Sequence, residues 1–321
     1  DDNGNESGSA YIYELSGGTW IETQKLTASD ADANDKFGNA VSIDGSVAII
    51  GSKWSDKSSS ELNSGSAYVF EYNGTNWTET QKLTASDEDE YTVFGFSVDV
   101  SNNYIIIGSP YSDYGLSYIN SGSGYIFEKI GTTWTEVNII RASDLDQSDN
   151  FGWSVSISGN KAIAGSHLDD YNGINTGSAY IFELDGTSWT QMQKIYSSDG
   201  DNYDVFGISV SISGNNIIVG AYGNDDNGSE SGSAYIFELP SFLDTQTACN
   251  SYTWIDSITY TASNNSATHT LANAAGCDSV VTLDLIIASS STSTDAQNAC
   301  DSYTWIDSIT YTASNNSATH T

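Results

Sequence analysis

A repeat of 55 to 57 residues runs through the first three quarters of the chain and restricts its fold more than any other feature. A motif of the form SGSAYIFE recurs, and its tyrosines are spaced by 57, 57, 55 and 55 residues: Tyr11, Tyr68, Tyr125, Tyr180 and Tyr235. A tryptophan follows each of the first four tyrosines, and a Phe-Gly pair recurs with the same period. Because three independent markers keep one period, this part of the chain is a tandem array of one structural unit.

Each repeat contains four segments with the pattern of β-strands. In the third repeat these segments are residues 151–158, 161–166, 178–184 and 189–195. Gly159-Asn160 and Asp185-Gly186 separate two pairs of them and are typical of hairpin turns. Four antiparallel strands in a repeat of this size predict one blade of a β-propeller. The fold class expected for the chain is therefore all-β.

The composition agrees with a folded β-protein that has an unusually acidic surface. Aromatic residues make up 12% of the chain, whereas there are only two prolines and one methionine. A disordered chain of this polarity would lack the aromatic residues. The formal net charge is −33, which argues against nucleic acid and anionic lipid surfaces as partners. No apolar segment approaches the ~20 residues of a membrane span.

The repeats resemble the FG-GAP family, the propeller repeats of integrin α-subunits. The resemblance rests on the Phe-Gly pairs, the SVSISGN stretches beginning at Ser154 and Ser209, and the SGSAYIFE motifs. It implies a propeller, and in the integrin relatives the ring has seven blades. Integrin-type repeats carry a calcium loop between their first two strands. In this chain that loop has shrunk to two-residue turns such as Gly159-Asn160, so the family's calcium site is not carried over.

The blade count predicts that this chain is a fragment of a longer one. Residues 1–240 contain three complete blades, a partial blade before them and a partial blade after them. The chain also lacks a starting methionine and a signal peptide. We therefore expect further blades upstream, in a ring of the seven-bladed kind, rather than a closed ring of five.

Acidic residues gather in the long loops that lie at one end of the blades, which we call the acidic rim. These loops join successive blades, or join the second strand of a blade to its third. Carboxylates spaced D-x-D-x-x-D on such loops are candidate ligands for Ca²⁺. The candidates are Asp30, Asp32 and Asp35; Asp144, Asp146 and Asp149; Asp199, Asp201 and Asp204; and, in a second kind of loop, Asp225 and Asn227. Ordinary turn formation explains the same pattern without a metal, and both interpretations stay open.

Aromatic residues fall into two classes. Those that recur once per blade, such as Tyr68 and the repeated tryptophans, are expected to pack between neighbouring sheets. Those that do not recur and lie on the long loops are better candidates for ligand contacts: Trp54, Tyr111, Tyr114, Tyr118 and Tyr171.

The segment after Pro240 has a different period. Residues 249–270 reappear as residues 300–321 with 21 of 22 positions identical, which indicates a recent tandem duplication. We predict a small β-sandwich module over residues 241–293 and the start of a second one over residues 294–321. A unit of ~50 residues buries little surface by itself. A disulfide between Cys249 and Cys277 would stabilise it by roughly 3 kcal/mol and would require an oxidising, extracellular setting.

These modules resemble the Ig-like CDSYTW repeats of giant surface proteins of Bacteroidota, which carry type IX secretion sorting domains. The resemblance implies a secreted protein on the bacterial cell surface that contacts secretion and anchoring machinery. It also implies O-glycosylation at tripeptides of the D-S-apolar kind, with Ser257, Ser279 and Ser308 as acceptors.

We do not expect an enzyme, because no known catalytic motif is present. The three histidines lie in a loop (His167) or in the duplicated strand (His269, His320). The favoured function is an adhesin-like protein in which the propeller binds a surface glycan or protein and the tandem modules form a stalk. The alternative is a structural spacer, or a component of a surface filament or layer, without a specific ligand. A third possibility is that the propeller is cargo secreted by means of its tail.

Overall fold

The structure is a computed structural model that describes ten segments of the chain. They are residues 3–56, 63–87, 90–114, 119–226, 228–229, 231–239, 242–271, 279–288, 297–306 and 308–313. Every regular element in these segments is a β-strand. The described residues group into two compact units, one formed by the repeats and one that begins at Phe242.

The repeats form three complete four-stranded sheets, each an antiparallel meander in chain order. Blade 1 contains β3 (Phe37–Asp44), β4 (Val47–Ser52), β5 (Ser66–Tyr72) and β6 (Trp77–Leu83). Blade 2 contains β7 (Ser97–Ser101), β8 (Tyr104–Ser109), β9 (Ser123–Ile130) and β10 (Thr133–Ile140). Blade 3 contains β11 (Ser154–Ser158), β12 (Lys161–Ser166), β13 (Ser178–Asp185) and β14 (Ser188–Ile195). The predicted four-stranded repeat is thereby confirmed.

Partial blades flank the complete ones. A half-blade of two strands, β1 (Ala10–Ser16) and β2 (Thr19–Leu26), precedes blade 1. Blade 4 contains β15 (Ser209–Ser213), β16 (Asn216–Ala221) and β17 (Ser233–Glu238).

Successive blades pack face to face. The first strands of neighbouring blades contact one another, so they lie on the inner side of the array and the fourth strands lie on the outer side. Between blades 1 and 2, the core contains Ile49 and Val69 from one sheet and Val98, Ile105 and Phe127 from the next. The short second strand is apolar on both faces because both faces are covered by a neighbouring sheet.

The Phe-Gly and SGS motifs form the joint between the third strand of one blade and the first strand of the next. Gly65 makes a parallel bridge to Phe94, and the same bridge recurs at the other joints. A Cβ atom on Gly65 would meet the backbone of Phe94, and Gly65 has φ +87°, so only glycine fits. The Phe94 ring then packs edge-on against Tyr125, with ring centroids 5.2 Å apart. This joint shortens the predicted first strand of blade 3, which begins at Ser154 rather than at Phe151.

A second joint ties the outer strands together. The Gln81 side-chain amide donates to the Trp134 carbonyl oxygen and accepts from the Trp134 N–H, both at 2.8 Å. Gln24 makes the same pair of hydrogen bonds with Trp77. The repeated tryptophans of the complete blades, Trp77, Trp134 and Trp189, are buried, and this confirms the expectation that they pack between sheets, whereas Trp20 of the half-blade is exposed.

The end of the blades opposite the acidic rim is closed by tight turns. The turns at 102–103, 159–160 and 214–215 hold two residues each, and they are too short to wrap a cation. Each turn is tied to the preceding blade instead, since Asn102 N–H donates to Asp44 and Gly159 N–H donates to Ser101 Oγ. The calcium loop of integrin-type repeats therefore does not fit these residues.

Packing by a neighbouring blade is what buries the sheet faces. Ile163 and Ile181 in blade 3 are fully buried against blade 4. The equivalent residues of blade 4, Ile218 and Ile236, are 45% and 78% exposed. The described sheets form an open array, so the seven-bladed ring stays a prediction.

The second unit is a small β-structure with its own core. Strand β18 (Phe242–Cys249) pairs in parallel with β22 (Ser279–Ala288), and β21 (Thr268–Leu271) lies on the other side of β22. The hairpin of β19 (Tyr252–Thr253) and β20 (Thr259–Tyr260) packs against this sheet around the buried Trp254. The duplicate contributes a matching hairpin, β23 (Tyr303–Thr304) and β24 (Thr310–Tyr311). The Ig-like sandwich stays a prediction.

Candidate functional site

The first aspartate of each inter-blade loop is held by a tyrosine and a cation of the following blade. Tyr68 donates its hydroxyl hydrogen to Asp30 Oδ1 and Lys82 Nζ donates to Asp30 Oδ2, both at 2.7 Å. The pattern recurs for Asp87 with Tyr125 and Arg141, for Asp144 with Tyr180 and Lys194, and, by its tyrosine bond, for Asp199 with Tyr235. Because the repeats are similar in length, an aspartate, a tyrosine and a cation meet in the same way at successive blades on the acidic rim. We call this group the Asp–Tyr–cation clasp.

The clasp keeps its carboxylate charged. Burial acts to raise the pKa of Asp30, but the hydrogen bonds from Lys82 and Tyr68 outweigh it, so the pKa lies below the ordinary value. The same causes lower the pKa of Asp144, where Lys194 is the cation. Burial raises the pKa of the Tyr68 hydroxyl to about 12, so this group stays protonated and donates.

In three of the four inter-blade loops, the third aspartate is buried and organises the loop itself. Asp35 accepts a hydrogen bond from the Asp32 N–H at 2.8 Å, and equivalent bonds join Asp149 to Asp146 and Asp204 to Asp201. Burial raises the pKa of Asp35. Burial, reinforced by the charge of Asp169, raises the pKa of Asp149 to about 7.

These contacts separate the carboxylates that the D-x-D-x-x-D spacing brought together as candidate calcium ligands. In the loops at 30–35, 144–149 and 199–204, the first aspartate faces a tyrosine hydroxyl of the following blade. The third aspartate points into its own loop, and the middle ones (Asp32, Asp146 and Asp201) are exposed. Among the described residues no three His, Cys, Asp or Glu side chains are placed to hold a metal ion. Asp225 is exposed, whereas Asn227 lies outside the described residues. Calcium stays a prediction.

A cleft opens on the acidic rim where the half-blade meets blade 1. Its volume is about 350 Å³. The inter-blade loop supplies one wall, and residues 54–56 and 63 of blade 1 supply the other. The lining residues are Asp30, Asp32, Ala33, Asn34, Asp35, Trp54, Ser55, Asp56, Asn63 and Lys82.

Several polar groups of the cleft have no hydrogen-bond partner in the described part of the chain. Asp56 Oδ1 accepts from the Asn63 N–H at 2.7 Å, which orders that wall. Three side-chain groups make no hydrogen bond to a described residue: the amides of Asn34 and Asn63 and the carboxylate of Asp32. The backbone groups of these residues do make hydrogen bonds. Trp54 is 40% exposed at the mouth. The cleft therefore offers hydrogen-bond donors, acceptors and an aromatic surface to solvent.

His167, a loop histidine in the sequence interpretation, is buried. Its ring centroid lies 4.2 Å from that of Trp153. Its Nδ1 atom has no hydrogen-bond partner among the described residues, and burial lowers its pKa to about 4. An uncharged imidazole packed against an indole ring fits a structural role.

Two of the three predicted glycosylation sites, Ser257 and Ser308, lie in the second unit. Ser257 and Ser308 are exposed and occupy equivalent turns, with φ of 67° and 63°. The side chain of Ser279 and the whole of Cys277 lie outside the described residues. Cys249 has an exposed, free thiol, so the disulfide and the glycosylation sites stay predictions.

The sequence interpretation missed the cations of the clasp and the two asparagines of the cleft. Lys82 and Lys194 do recur at the same place in the repeat as Tyr68 and Tyr180, and this shared period is a signal for the clasp. No sequence signal distinguishes Asn34 and Asn63 from other loop asparagines. Trp54, which the sequence marks as a candidate for ligand contacts, lines the cleft, whereas Tyr118 of the same set lies outside the described residues; the ligand contacts stay a prediction.

Comparisons with known proteins support the repeat assignment. A family model described as FG-GAP repeat matches residues 20–70, 77–127, 134–182 and 189–237. No curated protein gives a significant match. The described segments hold no helix with the length and apolarity needed to span a membrane.

Proposed function

Because this chain belongs to the FG-GAP repeat family, we propose that its blades form the ligand-binding head of an adhesin-like protein. One observation carries this proposal: a solvent-accessible cleft on the acidic rim, which we call the Trp54 cleft, is lined by polar side chains that make no hydrogen bond to a described residue. The family's repeats build propellers that often serve adhesion. The ligand would be a surface glycan or a protein.

The two ends of the blades differ in a way that favours binding at the rim. At the tight-turn end, side chains hydrogen-bond to the turn of the neighbouring blade. For example, Ser158 Oγ accepts from the Gly214 N–H at 3.0 Å. At the rim, the loops are long and carry exposed aromatic side chains that do not recur: Trp54, Tyr114 and Tyr171. Loops held on a rigid scaffold are where binding residues concentrate.

We further propose that the protein acts outside the cell, on a bacterial surface. The supports are the high negative charge, which suits a soluble extracellular protein, and the resemblance of the duplicated modules to surface-protein repeats of Bacteroidota. In this proposal the second unit is part of a stalk that links the blades to type IX secretion and anchoring machinery. A Cys249–Cys277 bridge and glycosylation at Ser257 belong to the same proposal.

A structural spacer is the second candidate, and the regular joints favour it. A parallel β-bridge between a glycine and a phenylalanine connects each neighbouring pair of blades. At two of the joints, the side chain of Gln24 or Gln81 also makes two hydrogen bonds to the backbone of a tryptophan in the next blade. Such repetition stiffens an array whether or not it binds anything.

A binding experiment separates the two candidates. The intact chain, labelled on its N-terminal amine, is applied to arrays of glycans and of extracellular-matrix proteins, with and without a calcium chelator. A saturable ligand on either array supports the binding head. Absence of any ligand on both arrays, with melting that does not depend on calcium, favours the spacer.

A further inference from the structure

Trp54 stands at a position of the repeat that holds an aromatic ring in some blades and not in others. The equivalent residues of blades 2, 3 and 4 are Tyr111, Leu168 and Gly223. The repeated tryptophans of the complete blades are at most 8% exposed, whereas Trp54 is 40% exposed. An exposed aromatic ring beside a cleft offers a flat apolar face to a ligand.

Two lysines hold this ring at the mouth of the cleft. Lys36 Nζ lies 5.0 Å from the centroid of the Trp54 ring and Lys53 Nζ lies 5.7 Å from it. Cation–π contacts of this length fix the ring without covering it completely. Asn34 and Lys36, which flank the third aspartate of the loop, both have positive φ, so the wall opposite the ring is a sharply bent loop.

Acidic and basic side chains are mixed in the cleft, although the chain as a whole is strongly acidic. Four aspartates line the cleft, and two of the lysines beside them are ion-paired, Lys36 with Glu6 and Lys82 with Asp30. Lys82 lines it too, and Lys36 and Lys53 stand at its mouth. Three of the nine basic residues of the chain are thus placed at this one site.

These features select against charged ligands. A phosphate or a sialic acid would face the carboxylates of Asp32 and Asp56. A divalent cation would face the ammonium group of Lys82 and would find no set of three ligands in the described residues. A neutral ligand with several hydroxyl groups fits all the exposed groups, because each hydroxyl can donate to a carboxylate and accept from an amide.

We propose that the Trp54 cleft binds a neutral pyranose sugar at the end of a glycan. One face of the sugar ring packs on the Trp54 indole, and its hydroxyl groups bond to the Asp32 carboxylate and to the amides of Asn34 and Asn63. The cleft volume of about 350 Å³ is at the lower end for small-molecule sites and suits one or two sugar rings. This inference rests on the proposed function and names its ligand class.

The test uses the intact chain and an array that carries neutral, sialylated and sulfated glycans, followed by calorimetry with the best neutral oligosaccharide. Trp54→Ala is expected to weaken binding by roughly two- to tenfold, the scale of an aromatic stacking contact. Asn34→Asp keeps a residue that tolerates positive φ but removes the amide donor, and it is also expected to weaken binding. Trp20→Ala is the matched control, because Trp20 is 66% exposed and lies at the far end of β2, beside the turn at 17–18. It should leave binding unchanged.

The outcomes separate this inference from the broader one. Neutral-glycan binding that Trp54→Ala removes and Trp20→Ala leaves intact supports both. Glycan binding that is equal in the two variants, or that requires an acidic sugar, overturns the cleft assignment and leaves the binding head standing. Binding only to matrix proteins also overturns the sugar. Far-ultraviolet circular dichroism of each variant establishes that a loss does not come from unfolding.

Discussion

The two hydrogen bonds between the Gln81 side chain and the Trp134 backbone give the sharpest test of how the blades hold together. The Gln81 amide makes two hydrogen bonds of 2.8 Å to the backbone of Trp134, which belongs to the next blade and is 2% exposed. Replacing Gln81 by methionine keeps the length of the side chain and removes both bonds. The Trp134 N–H is then left without a partner in a site that water hardly reaches.

The expected cost follows from the number of bonds. Each neutral hydrogen bond contributes about 1 kcal/mol net, so the loss of two lowers the free energy of unfolding by about 2 kcal/mol. For a unit of this size, that corresponds to a fall in melting temperature of about 4–8 °C. Trp134 is one of eight tryptophans, so the fluorescence melt follows unfolding of the blades as a whole, with Trp134 among the buried residues that contribute to it.

The chain supplies its own control for this measurement. Gln193 stands at the same place in blade 3, but it is exposed, and its side chain makes no hydrogen bond to any described residue. Gln193→Met is therefore expected to change the free energy of unfolding by less than about 0.5 kcal/mol. Thermal melts followed by tryptophan fluorescence compare the two variants. Equal melting temperatures for Gln81→Met and Gln193→Met would refute the claim that the hydrogen bonds of Gln81 stabilise the blades.

Three further changes test other joints. Gly108→Ala would push a Cβ atom into the carbonyl oxygen of Gly152 in the next blade, so we expect loss of folded protein by circular dichroism; a stable, soluble variant would contradict the close approach. Tyr125→Phe removes the 2.8 Å hydrogen bond to Asp87 and should cost about 1–2 kcal/mol in urea unfolding, and no change would show that the clasp does not contribute. Asp149 has a pKa of about 7 in the folded chain, against 3.8 ordinarily, so it binds its proton more tightly when folded. Its contribution to stability is complete below pH ~4 and is lost as the pH rises through 7; Asp149→Asn should flatten the fall in melting temperature between pH 5 and pH 8, and an unchanged slope would contradict the assignment.

The repeat predicted the blades well because local pattern and long-range packing agree in this fold. Alternation and two-residue turns placed four strands in each repeat, and the sheets have that order. The sequence interpretation of the acidic loops was less complete, because spacing along a loop does not reveal partners elsewhere. Asp30 lies 38 residues from Tyr68 and 52 residues from Lys82, and only the folded sheet brings the three together.

The cleft shows the same limit in another form. Trp54 was selected because it departs from the period, and departures from a repeat are visible in one sequence. Asn34 and Asn63 become recognisable only when the two loops that carry them face each other. A residue that acts through its neighbours in space leaves no trace in the spacing of its own segment.

The joints between blades have a consequence for how such chains change over generations. The hydrogen bonds that join Gln81 to Trp134, Asn102 to Asp44 and Gly159 to Ser101 each connect residues 53 to 58 positions apart, so both partners are encoded once in each copy of the unit. Duplication or deletion of one whole copy recreates every tie without any compensating substitution. A genetic event that adds or removes half a copy leaves one face of a sheet without a neighbouring sheet to cover it. Family members are therefore expected to differ in length by complete units.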